Sequence, residues 1–148
     1  MSTKVAEKLS VEAKRLIKAP RERVFQARTT PDEILKWFGR ETCHPLSAKM
    51  DLRVGGEYQI RIRSEEMGEM EVVGVFREVK RPSRLVYTWR WPDGPMKEET
   101  LVTVDFIETN GWTEVRLRHE GFDTEDMRNR HNEGWSACFD KLEKLFRS

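Results

Sequence analysis

The side chains in this sequence that could do chemistry are three histidines, one acid and a set of tryptophans. The histidines are His44, His119 and His131. Imidazole titrates near neutrality, so it can move a proton at working pH or orient a ligand. His119 ends an alternating strand pattern. His131 lies one helical turn before Trp135 in the closing helical pattern, so the two can meet in space. Together with Glu120, beside His119, they are the candidate catalytic groups. The other reading of all three is plainer: polar residues near a cavity mouth and a surface acid. No pair of histidines has metal-ligand spacing and no third ligand presents itself, so no metal is expected. Nucleophile motifs are missing: there is no G-x-S-x-G elbow, and Cys43 and Cys138 stand in no recognisable Cys–His context. Gly55-Gly56 is not a phosphate loop, because no Lys-Ser/Thr follows and no helix begins there. No cofactor is expected.

The aromatic set says more. Trp37, Trp89, Trp91, Trp112 and Trp135 are many tryptophans for 148 residues. Most such rings belong to a core, but an apolar cavity with a few polar groups is also how small-ligand sites are built. The candidate ligand-binding residues are Trp37, Tyr58, Trp89, Met127, His131, Trp135 and Phe139. Trp89, Trp135 and Phe139 lead them, because one strand and one helix should face each other there. Gly134 falls in a helix interior, where glycine is about 1 kcal/mol worse than alanine. Close packing on a sheet is the expected reason, and approach by a ligand is the alternative.

The elements that must position these residues follow from periodicity. Leu9 to Lys18 reads as a first strand. Ala19-Pro20 ends it and starts a helix that buries Val24, Phe25 and Ala27. Thr30-Pro31-Asp32-Glu33 starts a second helix, with Thr30 and Glu33 as a capping box and Gly39 as its end. Residues 40–46 read as a loop and Ser47 to Val54 as a strand, with a hairpin turn at Val54-Gly55-Gly56-Glu57. Tyr58, Ile60 and Ile62 alternate with Gln59, Arg61 and Arg63, the pattern of a half-buried strand. Further strands are expected at Glu69 to Val79, Leu85 to Trp91, Thr100 to Glu108 and Trp112 to His119. Pro92-Asp93-Gly94-Pro95 breaks the Leu85 to Trp91 strand, and Asn110-Gly111 joins the final two. Asp123 to Ser148 then reads as one long helix with a stripe of Met127, Trp135, Cys138, Phe139, Leu142, Leu145 and Phe146. Asp123 or Thr124 caps it. The fold class is α+β: strand, two short helices, six antiparallel strands, long helix. Such a helix rests across the concave face of the sheet and leaves a cavity beside it.

Composition bounds the rest. The length fits one domain over 9–148, preceded by a flexible stretch at 1–8. Charged residues make up 36% and hydrophobic ones 37%, and 27 basic against 26 acidic residues give a net charge of +1. A near-neutral, mixed surface argues against nucleic-acid binding. No run approaches a membrane span, and no secretory signal is recognisable. Two cysteines without a framework fit a reducing cytoplasm.

Several phrases also match a known family. They are Ala19-Pro20 with Val24-Phe25, Thr30-Pro31 with Trp37, Asp51-Leu52-Arg53-Val54-Gly55-Gly56, Arg81-Pro82-Ser83-Arg84-Leu85-Val86 with Trp89, and His119-Glu120-Gly121-Phe122. His131, Gly134-Trp135 and Leu142 complete the set. Over about residues 9–147 the chain resembles the SRPBCC (START/birch-pollen-allergen-like, Bet v 1-like) superfamily, in its branch of activator of heat-shock protein 90 ATPase homologues. The resemblance implies a helix-grip fold, with a six- to seven-stranded antiparallel curved sheet around the C-terminal helix. It also implies a cavity for a hydrophobic or amphipathic small molecule, and no shared catalytic set. Three functions are therefore expected, in this order: binding of a lipid-like or aromatic molecule; a cyclase, dehydratase or hydrolase using polar residues in the cavity; a module that binds a chaperone. A homodimer is left open.

Overall fold

The computed structural model describes residues 9–92, 94 and 98–146. The stretch 1–8, Asp93 and Pro95 of the expected break, and the last two residues of the expected final helix lie outside them. The elements run β1 (Leu9–Ile17), α1 (Arg21–Thr29), α2 (Pro31–Trp37), β2 (Cys43–Met50), β3 (Glu57–Ser64), β4 (Gly68–Lys80), β5 (Arg84–Trp89), β6 (Thr100–Thr109), β7 (Trp112–Phe122) and α3 (Glu125–Leu145). One antiparallel sheet carries all seven strands in the order β1-β7-β6-β5-β4-β3-β2. The sheet is curved and open, and α3 packs against β1, β7 and α2. This is the expected helix-grip architecture. The core is the face between sheet and helix, where Ile60, Phe76, Leu85, Val102, Val104, Phe106, Val115 and Leu117 meet Trp135, Phe139 and Leu142.

Three expectations need correction. The second strand begins at Cys43, within the segment read as a loop, and ends at Met50. Pro45 breaks the alternation that would have marked it. Proline has no N–H to donate, and it is tolerated here because β2 is an edge strand with a register shift between Pro45 and Ser47. The expected capping box does not form. The Thr30 side chain makes no cap bond, and Glu33 is drawn instead into an ion pair with Arg23 at 2.7 Å. The last strand runs past His119 to Phe122, because β1 continues to pair with it.

That extension matters for the site. Ser10 pairs with Glu120 and Leu9 with Phe122, so Gly121 is an extra residue, held at φ 108. A bulge of this kind resets the alternation of side chains. His119 and Phe122, three apart, thereby both enter the core, with ring centroids 4.5 Å apart. Glu120 is left on the outer face. The closing helix starts as the sequence suggests: Thr124 accepts a hydrogen bond from the Met127 N–H at 3.2 Å.

Candidate functional site

A cavity of about 150 Å³ lies between the first half of α3, the turn that follows α2, and strands β3 to β5. From α3 come Met127, Arg130, His131, Gly134, Trp135 and Cys138, which follow one another at helical spacing and so share a face. Ile62, Met70, Trp89 and Trp91 form the opposite wall, and Phe38 closes one end. Arg40, Glu66 and Arg130 stand at the rim, where Arg130 pairs with Asp126 at 3.1 Å and Arg40 with Glu133 at 3.9 Å. A second void of about 20 Å³, sharing Phe38 and Trp89 with the first, reaches Arg28, Trp37 and Tyr58. That is room for about one water molecule. A wider concavity of about 590 Å³ lies on the outer face of the sheet among Glu12, Lys14, Arg84, Asp105, Arg116 and Arg118. It is a shallow, charged surface crossed by ion pairs such as Arg84–Asp105 at 2.9 Å, and it lacks the apolar walls of a binding site.

The two histidines do meet. Their ring centroids are 5.3 Å apart, and His119 is fully buried. Their hydrogen bonds fix the protonation of each. Trp135 Nε1–H donates to His119 Nδ1 at 3.0 Å, so that nitrogen carries no proton. Thr100 Oγ1–H donates to the Trp89 carbonyl at 2.9 Å, which leaves Thr100 Oγ1 to accept from His119 Nε2–H at 2.7 Å. In His131 the roles are reversed: Nε2 accepts from Trp91 Nε1–H at 3.0 Å and Nδ1–H donates to the Met127 carbonyl at 2.8 Å. Both rings are thus neutral with both nitrogens engaged. Burial holds each below the ordinary histidine range, and for His119 the neighbouring His131 adds to the effect. Neither ring has a lone pair or a proton to lend to a substrate.

Behind Trp135 sits a buried cation. The Arg28 guanidinium lies over the rings of Trp37 at 4.9 Å, Trp135 at 5.1 Å and Tyr87 at 5.7 Å. It donates to the Tyr87 hydroxyl and is 9% exposed. No carboxylate of the described residues pairs with it, so its charge is balanced by aromatic faces rather than by an anion. Burial pushes the phenols of Tyr58 and Tyr87 up. It raises the Cys138 thiol too, to about 11. Cys138 is therefore an unreactive wall group whose sulfur accepts the Gly39 N–H at 3.1 Å.

Of the residues singled out from sequence, Trp89, Met127, His131 and Trp135 stand together in the cavity wall. Trp37 and Tyr58 border the small void instead. Phe139 lies outside both, turned toward β1 with the Arg15 guanidinium 5.6 Å from its ring. Glu120 is on the outer face, 3.6 Å from Arg118, with the sheet between it and both histidines. Sequence reasoning missed Trp91, although it stands two residues from Trp89 and so shares its face. It also missed Thr100 and Arg28, for which a single sequence carries no signal: one is found only through pairing with Trp89, the other only through the packing of α1. Gly134 is a further correction. A Cβ built on it would meet only Arg40 Cγ, at 3.8 Å. The sheet does not demand a glycine there, and the space beside it is the cavity.

The arrangement defines a protein of the helix-grip class, with a largely apolar cavity under the helix that opens at a charged rim, and with both nitrogens of His119 and of His131 engaged. The chain belongs to the family described as Activator of Hsp90 ATPase homolog 1-like protein, whose model matches residues 18–147. Its fold is shared by protein CV1439 from Chromobacterium violaceum, with TM-score 0.83 and 23% identity over 94% of this chain and 97% of that one. The AHSA1 protein SPO3351 from Silicibacter pomeroyi superposes with TM-score 0.79 at 25% identity, covering 93% and 96%. Protein NE0264 from Nitrosomonas europaea does so with TM-score 0.77 at 26% identity, covering 93% of each. No curated protein matches the sequence significantly. No helix among the described residues is long and apolar enough to cross a membrane.

Proposed function

We propose that the protein binds a small hydrophobic or amphipathic molecule in the cavity between α3 and the sheet. The observation that carries this reading is the chamber itself: about 150 Å³, walled by Trp89, Trp91, Trp135, Ile62 and three methionines, and charged only at its rim. A volume of this order accommodates one aromatic ring in an apolar protein interior. The methionines, Met67, Met70 and Met127, are the adaptable part of the wall, since an unbranched thioether repacks around guests of different shape. Arg40 and Arg130 at the rim suit a polar outer end of the guest. The saturated hydrogen bonds of His119 and His131 favour binding over the cyclase, dehydratase or hydrolase reading, which needs one of those nitrogens within reach of substrate. The chaperone-partner reading has the family description behind it and no residue of this chain. Free Cys43 and Cys138 fit a reducing, cytoplasmic setting.

A calorimetric titration against single-ring aromatics and short-chain lipids tests the reading. Saturable binding to the native chain is expected, and it should be lost in Gly134→Leu, whose side chain enters the chamber. If Gly134→Leu folds and binds the same ligands equally well, the site is elsewhere.

A further inference from the structure

We infer that the small void beside Arg28 is a site for one monovalent anion of halide size, such as chloride. The site is separate from the larger chamber and independent of what fills it. Arg28 is a cation in the protein interior without a counter-ion. It is 9% exposed and reaches from the last turn of α1 to the rings of Trp37, Trp135 and Tyr87. Two of those rings, Trp37 and Tyr87, also border the void, as Arg28 itself does. The charged end of the side chain, and not only its aliphatic stem, therefore stands at the void. A guanidinium has five N–H donors. Here one, on Nη2, goes to the Tyr87 hydroxyl, and no other acceptor among the described residues meets the group. Its Nε and Nη1 are not sealed in like the Trp89 indole nitrogen, and keep accessible surface. Aromatic faces attract a cation but are poor hydrogen-bond acceptors, so these N–H groups lack the partner that buried donors ordinarily have.

The wall of the void adds one more donor and no charge. Tyr87 accepts from Arg28, and its own proton goes to no acceptor among the described residues. Burial keeps that phenol protonated. Tyr58 spends its proton on the Thr88 carbonyl. The rest of the lining is apolar, from Ile34 and Phe38 to Phe76 and Leu85. Size and charge then select the occupant. A space of about 20 Å³ holds one particle the size of a water molecule, and a chloride ion is only slightly larger. Carboxylate, phosphate and sulfate groups are too big. A divalent ion would also leave a buried charge unmatched by the single guanidinium. A water molecule would fill the space but leave the cation uncompensated, whereas a halide accepts from Arg28 and Tyr87 together and cancels the charge.

The test uses the whole chain and exchanges chloride for gluconate, which is too large for the void, at constant ionic strength and pH. The thermal midpoint should rise saturably with chloride, by about 3–6 °C once chloride reaches about tenfold its dissociation constant. Bromide should act in the same way. Arg28→Met keeps the stem and removes the charge, so its midpoint should be indifferent to the halide. A native chain that does not respond to chloride overturns the inference, and so does a response that is equally large in Arg28→Met. If that variant does not fold, crystals of the native chain grown in bromide decide. An anomalous peak within hydrogen-bond reach of the Arg28 guanidinium and the Tyr87 hydroxyl upholds the site. A void that holds water alone, with bromide present, overturns it.

Discussion

His119 and His131 show how side chains with the right chemistry can be withdrawn from it. Each is held neutral by two hydrogen bonds, one of which it accepts from a tryptophan N–H. Protonating either one would put two N–H groups face to face, in addition to burying a charge. The folded chain therefore takes up protons less readily than the unfolded chain, whose histidines titrate near pH 6.5. The sign follows. Above about pH 7 both states are neutral at these positions and stability is at its full value. As the pH falls through about 6.5 the unfolded state gains protons that the folded state refuses, and stability is lost. The slope is up to about 1.4 kcal/mol per pH unit for each histidine, levelling off once the depressed folded values are passed. Urea unfolding between about pH 7.5 and pH 5.5 measures it, and His131→Gln should flatten the curve by its own share. A flat native profile would mean that water reaches the pair. The identity of the two rings as candidates was open to sequence reading. Their saturation was not, because it depends on Thr100, Trp91 and Trp135, which reach them from β6, the segment after β5 and α3.

The elements divide the same way. Strands and helices that repeat a period announce themselves, as in Tyr58, Ile60 and Ile62 or the stripe of α3. Departures of one residue do not. The shifts near Leu46, Arg77 and Gly121 each insert a residue that leaves no mark in composition, yet the last of them is what turns Phe122 inward beside His119. Similarly, Thr30 and Glu33 fit a capping box until Arg23, from the preceding helix, claims the carboxylate. Gly134 is where helix and site conflict. With open space on its cavity side, Gly134→Ala should raise stability by up to about 1 kcal/mol through helix propensity. The added methyl also takes up chamber volume, so the same variant should bind ligand more weakly. Thermal unfolding and titration of one sample check both halves. A loss of stability would restore the reading in which the glycine serves close packing. The two outcomes together would mark Gly134 as a residue held against local preference for the sake of the proposed site.

Seen as one body, the sheet grips α3 unevenly. The second half of the helix is fastened: Phe139 and Leu142 are buried, and Arg15 on β1 reaches Asp140 at 2.7 Å and Glu143 at 3.3 Å. The first half, from Met127 to Gly134, roofs the chamber with half-buried or exposed side chains, and its ties are the capping bond at Thr124, the Trp91–His131 hydrogen bond at 3.0 Å and the looser Arg40–Glu133 pair at 3.9 Å. A chain whose helix is packed on the sheet at one end and roofs a void at the other should respond to a guest locally as well as globally. The global response follows from mass action: a ligand at 100 times its dissociation constant adds about 2.7 kcal/mol to the folded state. For a chain of this size each kcal/mol moves the midpoint by about 2–4 °C, so a rise of about 5–10 °C is expected. The local response is its distribution. Hydrogen exchange should slow most at the amides between Met127 and Gly134 and at Phe38 to Cys43, which bound the chamber, and least between Asp140 and Leu145, where fastening already limits opening. Protection spread evenly along α3 would show that the guest stabilises the fold without occupying the roofed space. Protection confined to the Arg15 end would place the guest at the C-terminal end of the helix, away from the chamber.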